Sequence, residues 1–328
     1  MVWVYFLFSA LVVVVSATKL AEYGDAIAVR ARLGGLFIGT LLMAGATSLP
    51  ELLSAINALS LGAPDLAAGS MFGSGMFNMF MLGLLDLIYR QARVLRRIAT
   101  THALTASLAN LLTGLAVLFI LASIDIQIGW MGVDSLLIIF VYIGGVRLLQ
   151  QRSSPAPQLE HLPEATQIPT LPKALFGFGA ASLVLVLITP LMVGSANQIA
   201  QLTGISRGFI GATLIAITTS LPELVATIAA VRIGAYDLAV GNLFGSNIFN
   251  MFALALTDGF YTQGRFLGVI DPSFALVGLL VITLTSLGLI GNLARVERRI
   301  LFVEVDALLI LVGYFLGMYL LYARGIGV

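Results

Sequence analysis

Two stretches of this chain are one segment written twice. At an offset of 172 residues, without a gap, Phe37-Ile38-Gly39 pairs with Phe209-Ile210-Gly211, Thr47-Ser48-Leu49-Pro50-Glu51-Leu52 with Thr219-Ser220-Leu221-Pro222-Glu223-Leu224, and Phe77-Asn78-Met79-Phe80 with Phe249-Asn250-Met251-Phe252. Roughly 29 of the 50 positions from 37 to 86 are identical to their partners, more than shared apolar composition gives. The chain must therefore fold as two copies of one unit that pack on each other.

The solvent of that fold is lipid. Hydrophobic residues fill 59% of the 328 positions and charged residues 10%, and the mean hydropathy is +1.03, well beyond a soluble domain. Apolar stretches of about 20 residues, enough to cross a bilayer, are read at roughly 2–17, 33–60, 66–89, 103–122, 128–149, 173–192, 206–231, 238–261, 273–291 and 302–323. The first lacks a positive n-region and has an internal counterpart near 175–189, so it reads as a helix and not as a cleavable leader. The expected fold is an all-α integral membrane protein of ten transmembrane helices, arranged as two inverted five-helix repeats with broken helices two and seven. Residues 1–150 form the first repeat, 151–172 a linker and 173–328 the second repeat. An odd number of spans per copy forces the second copy to enter the membrane in the opposite sense, the arrangement of many secondary transporters, whose sites lie at the midplane between the repeats.

Charge placement agrees. Lys19, Arg30, Arg32, Arg90, Arg93, Arg96, Arg97, Arg147, Arg152, Lys173, Arg232, Arg295, Arg298 and Arg299 fall on one side of the spans, and only Arg207, Arg265 and Arg324 on the other. By the positive-inside rule the first side is cytoplasmic, which puts both termini outside and the Pro-rich linker, from Ser153 through Pro163 to Pro172, in the cytoplasm. That linker is too short for a folded regulatory domain.

Glu51 and Glu223 sit near the centres of the second and seventh spans, where an ionised side chain costs about 2.5–3.5 kcal/mol on insertion scales. One such Glu can be a protonated, hydrogen-bonded bundle residue; two at equivalent repeat positions point to a shared site. Pro50 and Pro222 each remove a backbone donor, freeing carbonyls around Ala44 to Thr47 and Ala216 to Thr219. Thr47, Ser48, Thr219 and Ser220 add hydroxyls, and Ser74, Asn78, Ser246 and Asn250 bring further oxygens from the third and eighth spans. An all-oxygen donor set without Cys or His suits Na⁺, Ca²⁺ or Mg²⁺ and argues against zinc and copper. An organic anion would need Lys or Arg, and none lies in the interior of these spans. Gly69, Gly73, Gly75, Gly241 and Gly245 read as close helix packing. Asp65 and Asp237 read as helix N-caps, and Asp86 and Asp258 as surface carboxylates able to attract cations at an entrance. His102 and His161 receive no role.

The segments Gly45-Ala46-Thr47-Ser48-Leu49-Pro50-Glu51 with Gly73-Ser74-Gly75-Met76-Phe77-Asn78, and Thr218-Thr219-Ser220-Leu221-Pro222-Glu223 with Gly245-Ser246-Asn247-Ile248-Phe249-Asn250, resemble the two alpha-repeats of the cation/calcium exchanger superfamily, most of all its prokaryotic sodium/calcium exchangers. The resemblance covers essentially the whole chain. It implies a secondary active transporter that exchanges Na⁺ for Ca²⁺ by alternating access, with the first and sixth spans sliding across the rest. Carried over by position, Glu51 and Glu223 would ligate Ca²⁺ with the carbonyls of Thr47 and Thr219. Sodium would add Ser48, Ser74, Ser220, Ser246 and the carbonyls of Ala44 and Ala216, and Asn78 and Asn250 would line the centre. Two positions depart from the pattern. Asn250 stands where some relatives carry Asp, which points to no K⁺ requirement, and Gly75 stands where the other repeat has Asn247.

Two other readings of the same residues stay open at this stage. Protons could replace Na⁺ on the glutamates, making a Ca²⁺/H⁺ or other cation/H⁺ antiporter, and polar oxygens also line cation channels. An enzyme is not expected, because no His, Cys or metal cluster accompanies the carboxylates. Ca²⁺, Na⁺ and the lipid bilayer are the expected partners, with no organic cofactor and no nucleic acid. The chain is expected to work as a monomer in the plasma membrane.

Overall fold

The computed structural model describes residues 1–30, 44–89, 99–152, 169–293, 299–300 and 303–327. In chain order they form α1 (Val2–Arg30), α2 (Leu49–Ser60) preceded by a helical turn at 44–47, α3 (Pro64–Ile88), α4 (Ala99–Ala122), a hairpin of β1 (Gln127–Ile128) and β2 (Met131–Gly132), and α5 (Val133–Arg152). The second half follows with α6 (Leu171–Thr203), α7 (Arg207–Thr219), α8 (Leu221–Arg232), α9 (Tyr236–Thr257), the single turn α10 (Phe266–Val269), α11 (Phe274–Leu293), a hairpin of β3 (Arg299–Ile300) and β4 (Val303–Glu304), and α12 (Val305–Arg324). Among the described residues seven helices are long and apolar enough to cross a membrane, eight when the bent pair α7–α8 is taken as one span. Helix dominates because a backbone in lipid must satisfy its own donors and acceptors. Large apolar side chains turned outward, such as Phe176 at 79% exposed and Phe140 at 73%, are the lipid-facing surface of such a bundle.

The sequence reading of an all-α chain needs one amendment. Residues 128–132 and 303–304, assigned above to spans five and ten, belong to two antiparallel strand pairs, Gln127 pairing with Gly132 and Arg299 with Glu304. These pairs are 172 residues apart, so the duplication extends into the connections. Gly129, at φ 68°, supplies the left-handed residue in the turn of the first of them. The first and sixth spans, expected to stop near residues 17 and 192, continue to Arg30 and Thr203. No breaker follows Ala17 before Arg30 except Gly24, and Ala, Lys and Glu favour helix, so hydropathy marks where lipid ends and not where the helix does. α1 and α6 pack along each other. The linker reading lies outside the described residues from 153 to 168, as does residue 161.

Spans two and seven break at matching places. Ser48 has φ −89° and ψ 8°, Ser220 φ −89° and ψ 1°, and α7 and α8 meet at 42°. The break precedes each proline by two residues, because Pro is tolerated in the first turn of a new helix, where its missing N–H costs nothing. Ser48 N–H still reaches Ala44 O at 2.9 Å and Ser220 N–H reaches Ala216 O at 3.0 Å. Among the described residues no backbone N–H reaches the carbonyl of Thr47 or Thr219.

α3 lies against α7 with backbone on backbone. A Cβ placed on Gly69 would stand 2.3 Å from Gly208 O, and one on Gly73 2.4 Å from Ala212 Cα; from the other side, a Cβ on Gly211 would meet Leu66 O at 2.4 Å. Gly75 instead faces Val281, 3.3 Å from its Cγ1. For Gly241 and Gly245, positions 36 and 39, the repeat equivalents of Gly208 and Gly211, lie outside the described residues.

The acidic residues near the helix ends are corrected by their partners. The N-caps of α3 and α9 are Ala63 and Ala235. Asp65 accepts from the backbone N–H of Asp271 at 3.0 Å, and Asp237 lies 3.4 Å from His102 Nε2. Asp86 and Asp258 are buried, not open to an entrance. Asp258 is consumed by the backbone N–H groups of Gly132 at 2.7 Å and Phe266 at 2.5 Å. Beside it Arg265, read from sequence as a loop charge, is buried and meets Asp134 Oδ2 through Nε at 3.0 Å. These bonds tie β2 and α5 of the first half to the end of α9 in the second.

Because the α3–α7 contact leaves no room for a methyl group, Gly73→Ala is expected to lower the melting temperature of the detergent-purified protein by an amount corresponding to about 1–3 kcal/mol of overpacking. Gly179→Ala, where a Cβ meets nothing within 4 Å, should leave it unchanged. Equal melting temperatures for the two variants would show that the helices part easily here.

Candidate functional site

Near the broken helices the polar residues of both repeats converge. Glu51, Glu223, Thr47, Thr219, Ser48, Ser220, Ser74, Ser246, Asn78 and Asn250 are all at 0% exposure. α2 and α8 each carry one glutamate in their first turn. α3 and α9 carry Ser70, Ser74 and Asn78, and Asn242, Ser246 and Asn250, at four-residue spacing, which lines each set along one helix face.

The hydrogen bonds cross between the repeats. Glu51 Oε1 accepts from Ser220 Oγ at 3.1 Å and Ser74 Oγ at 3.4 Å; Glu223 Oε1 accepts from Ser48 Oγ at 3.0 Å and Ser246 Oγ at 3.2 Å. Each carboxylate is thus held by the serine at the other repeat's helix break and by the serine on the helix that follows its own. Ser48 Oγ and Ser246 Oγ are 2.6 Å apart. The second oxygen of each glutamate, Oε2, is buried with no hydrogen-bond partner, and no basic side chain pairs with either glutamate among the described residues. Two buried carboxylates with one oxygen each unpartnered form a centre that a cation or a proton must stabilise, since an ionised group in a low-dielectric interior is costly unless paired.

The surrounding oxygens differ in availability. The carbonyls of Thr47 and Thr219 are outside the helical ladder, as noted above. Those of Ala44 and Ala216 each accept two bonds, from the serine N–H already described and from the hydroxyls of Thr47 at 3.2 Å and Thr219 at 3.3 Å. The threonine hydroxyls are therefore turned onto the backbone, and Thr219 also reaches Ile215 O at 3.0 Å. Asn78 donates through Nδ2 to Asn247 Oδ1 at 2.8 Å and keeps Oδ1 unpartnered, while Asn250 has both amide atoms unpartnered. Asn242 is a polar residue that the sequence reading passed over. Its Nδ2 contacts Thr227 Oγ1 at 3.1 Å and Glu223 O at 3.4 Å, behind the glutamate. Its place one turn before Ser246 was the available signal.

Comparison with known proteins fits this geometry. The model of the family described as sodium/calcium exchanger protein matches residues 1–149 and 173–323, which is each half of the duplication and little else. The inner membrane protein YrbG of Escherichia coli (strain K12) is 32% identical over 269 residues, covering 80% of this chain and 79% of that protein. The putative antiporter CaxA of Alkalimonas amylolytica is 28% identical over 336 residues, covering 98% of each. Among solved structures, the sodium-calcium exchanger NCX_Mj soaked with 2.5 mM Na⁺ and 0.1 mM Ca²⁺ superposes with a TM-score of 0.60 at 23% identity, covering 97% of both chains; at that identity the likeness shows the fold. A multi-pass membrane bundle, two copies of one motif and a match spanning both halves lead to one conclusion: the chain belongs to the sodium/calcium exchanger protein family.

Proposed function

We propose that this chain is a secondary active transporter that exchanges Na⁺ for Ca²⁺ across the plasma membrane, by alternating access at one midplane site shared by two inverted five-span repeats. The observation that carries the proposal is the crossed arrangement of Glu51 and Glu223, each bound through Oε1 by serines of both repeats and each offering an unpartnered, buried Oε2. In this reading the two carboxylates and the free carbonyls of Thr47 and Thr219 ligate Ca²⁺. Sodium ions use the same carboxylates with Ser48, Ser74, Ser220 and Ser246, and with the carbonyls of Ala44 and Ala216 when the threonine hydroxyls turn away. Asn78 and Asn250 line the centre. The long pair α1 and α6 is the mobile unit, the chain works as a monomer, and no K⁺ is needed because position 250 is an amide.

The ten-span count follows if residues 31–60 cross as span two and α11 as span nine. Since the chain has no cysteine, single introduced cysteines test the orientation cleanly. Arg324→Cys should react with an impermeant maleimide in intact cells, and Gln151→Cys only after the cytoplasmic face is opened. The reverse pattern would invert the assignment, and reaction of both from one side would contradict the five-plus-five count.

Function is tested by loading proteoliposomes with Na⁺ and diluting them into Na⁺-free buffer containing radioactive Ca²⁺. Wild type should accumulate Ca²⁺ only with the outward Na⁺ gradient, and both Glu51→Gln and Glu223→Gln should lose at least about 10-fold of that uptake, the scale for removing a charged ligand from a buried site. Uptake driven by a pH gradient alone would assign the unpartnered Oε2 atoms to protons and make the chain a Ca²⁺/H⁺ antiporter. Flux that does not saturate and needs no counter-ion would make it a channel.

A further inference from the structure

Asn247 stands on α9 one position beyond Ser246 and one turn before Asn250, and its partner in the other repeat, 172 residues earlier, is Gly75. Its two amide atoms are engaged differently. Nδ2 faces the carbonyl of Gly75 at 3.5 Å, and Oδ1 accepts from Asn78 Nδ2 at 2.8 Å. A backbone carbonyl can only accept, so the nitrogen of Asn247 must be the atom that faces it. That fixes Oδ1 toward Asn78, which in turn requires Asn78 to present its nitrogen to Asn247. The remaining atom of Asn78, Oδ1, is buried and unpartnered. A main-chain carbonyl thus sets, through one intermediate side chain, which end of the Asn78 amide points away from Asn247.

The other repeat cannot do the same. The equivalent relay would run from the Asn247 carbonyl through a side chain at position 75 to Asn250, and glycine has none. Asn250 accordingly has neither its nitrogen nor its oxygen partnered, at the same complete burial. The atoms nearest a Cβ at Gly75 would be those of side chains, Val281 at 3.3 and 3.4 Å and Asn247 Oδ1 at 3.8 Å, so close backbone contact does not demand the glycine.

We infer that Asn247 is a positioning residue that locks Asn78 as an oxygen donor to the central cation, and that Gly75 leaves Asn250 as a freely turning amide. The site then has one rigid amide oxygen and one adaptable amide, in a scaffold whose serine–carboxylate bonds are matched across the repeats. The inference rests on the proposed cation site. A locked ligand binds without an ordering cost, and partners that orient a metal ligand typically account for 10- to 100-fold of affinity.

The test is a double-mutant cycle read by the Ca²⁺ concentration for half-maximal uptake and, independently, by the Ca²⁺-induced rise in melting temperature of the purified protein. Asn247→Ala should raise the half-maximal concentration on the order of 10-fold with maximal rate little changed. In an Asn250→Ala background it should do so by the same factor, and in an Asn78→Ala background by nearly none, because the amide it positions is gone. Asn247→Ser keeps a donor and an acceptor at shorter reach and should show the same pattern at smaller amplitude, which serves if the alanine variant does not fold. Equal factors in both backgrounds, or a loss of maximal rate alone, would overturn the inference while leaving the cation site intact. A wild-type protein whose melting temperature answers neither Ca²⁺ nor Na⁺ would overturn the site and the inference together.

Discussion

Two carboxyl groups held in one buried interior are the constraint around which this molecule is organised. A single intramembrane carboxylate can be neutralised by its proton and forgotten, but Glu51 and Glu223 are each given two hydroxyl donors and denied any basic partner among the described residues. Hydroxyls stabilise charge without cancelling it. On the proposed reading they leave a negative centre for a mobile cation, which a lysine or arginine would have closed permanently. The donors to each carboxylate come from both repeats, so neither half contains a complete site.

That division of labour demands close approach, and the packing supplies it. The serines on α3 and α9 reach the glutamates only if those helices lie unusually near the broken ones, and Gly69 and Gly73 let α3 touch the backbone of α7 at Gly208, Gly211 and Ala212. The break itself is the second requirement. Interrupting the ladder at Ser48 and Ser220 turns their side chains toward the opposite repeat and leaves the carbonyls of Thr47 and Thr219 outside the helix. In hydrocarbon such free carbonyls are tolerated only where they line a polar centre. The proline and the glutamate beside it therefore belong to one device.

Much of this was legible from residues alone because the duplication turns weak signals into paired ones. Glu51 and Glu223, the serines and the helix breaks were found by the repeat, and they meet as that pattern implies. What could not be read were the places where hydropathy and helix part company. The ends of α1 and α6 run past their apolar cores, and the paired strands at 127–132, and at 299–300 with 303–304, adjoin apolar runs whose turn residues, such as Gly129, resemble ordinary membrane glycines. Asp258 and Arg265 were misplaced because a charge near a span end reads as solvated until its partners, Gly132, Phe266 and Asp134, are brought from far along the chain. Asn242 was passed over because an isolated amide in an apolar helix carries meaning only once its face is known.

On the proposed reading, the duplicated frame also accounts for coupled exchange of unlike ions without any moving gate residue. Two ionised glutamates present a charge of about −2, which one divalent ion cancels and which monovalent ions cancel only in number. Carrying an uncancelled charge past the apolar faces of α1 and α6 would cost what burying an unpaired ion costs. The sliding equilibrium is then populated only when the centre is neutral, filled either way, and closed to the half-filled states between. On the proposed reading, coupling requires no contact that senses which ion is present. It follows from the charge of two side chains and the dielectric of the helices that must slide past them, and the asymmetry at Gly75 and Asn247 can adjust ion preference without disturbing that arithmetic.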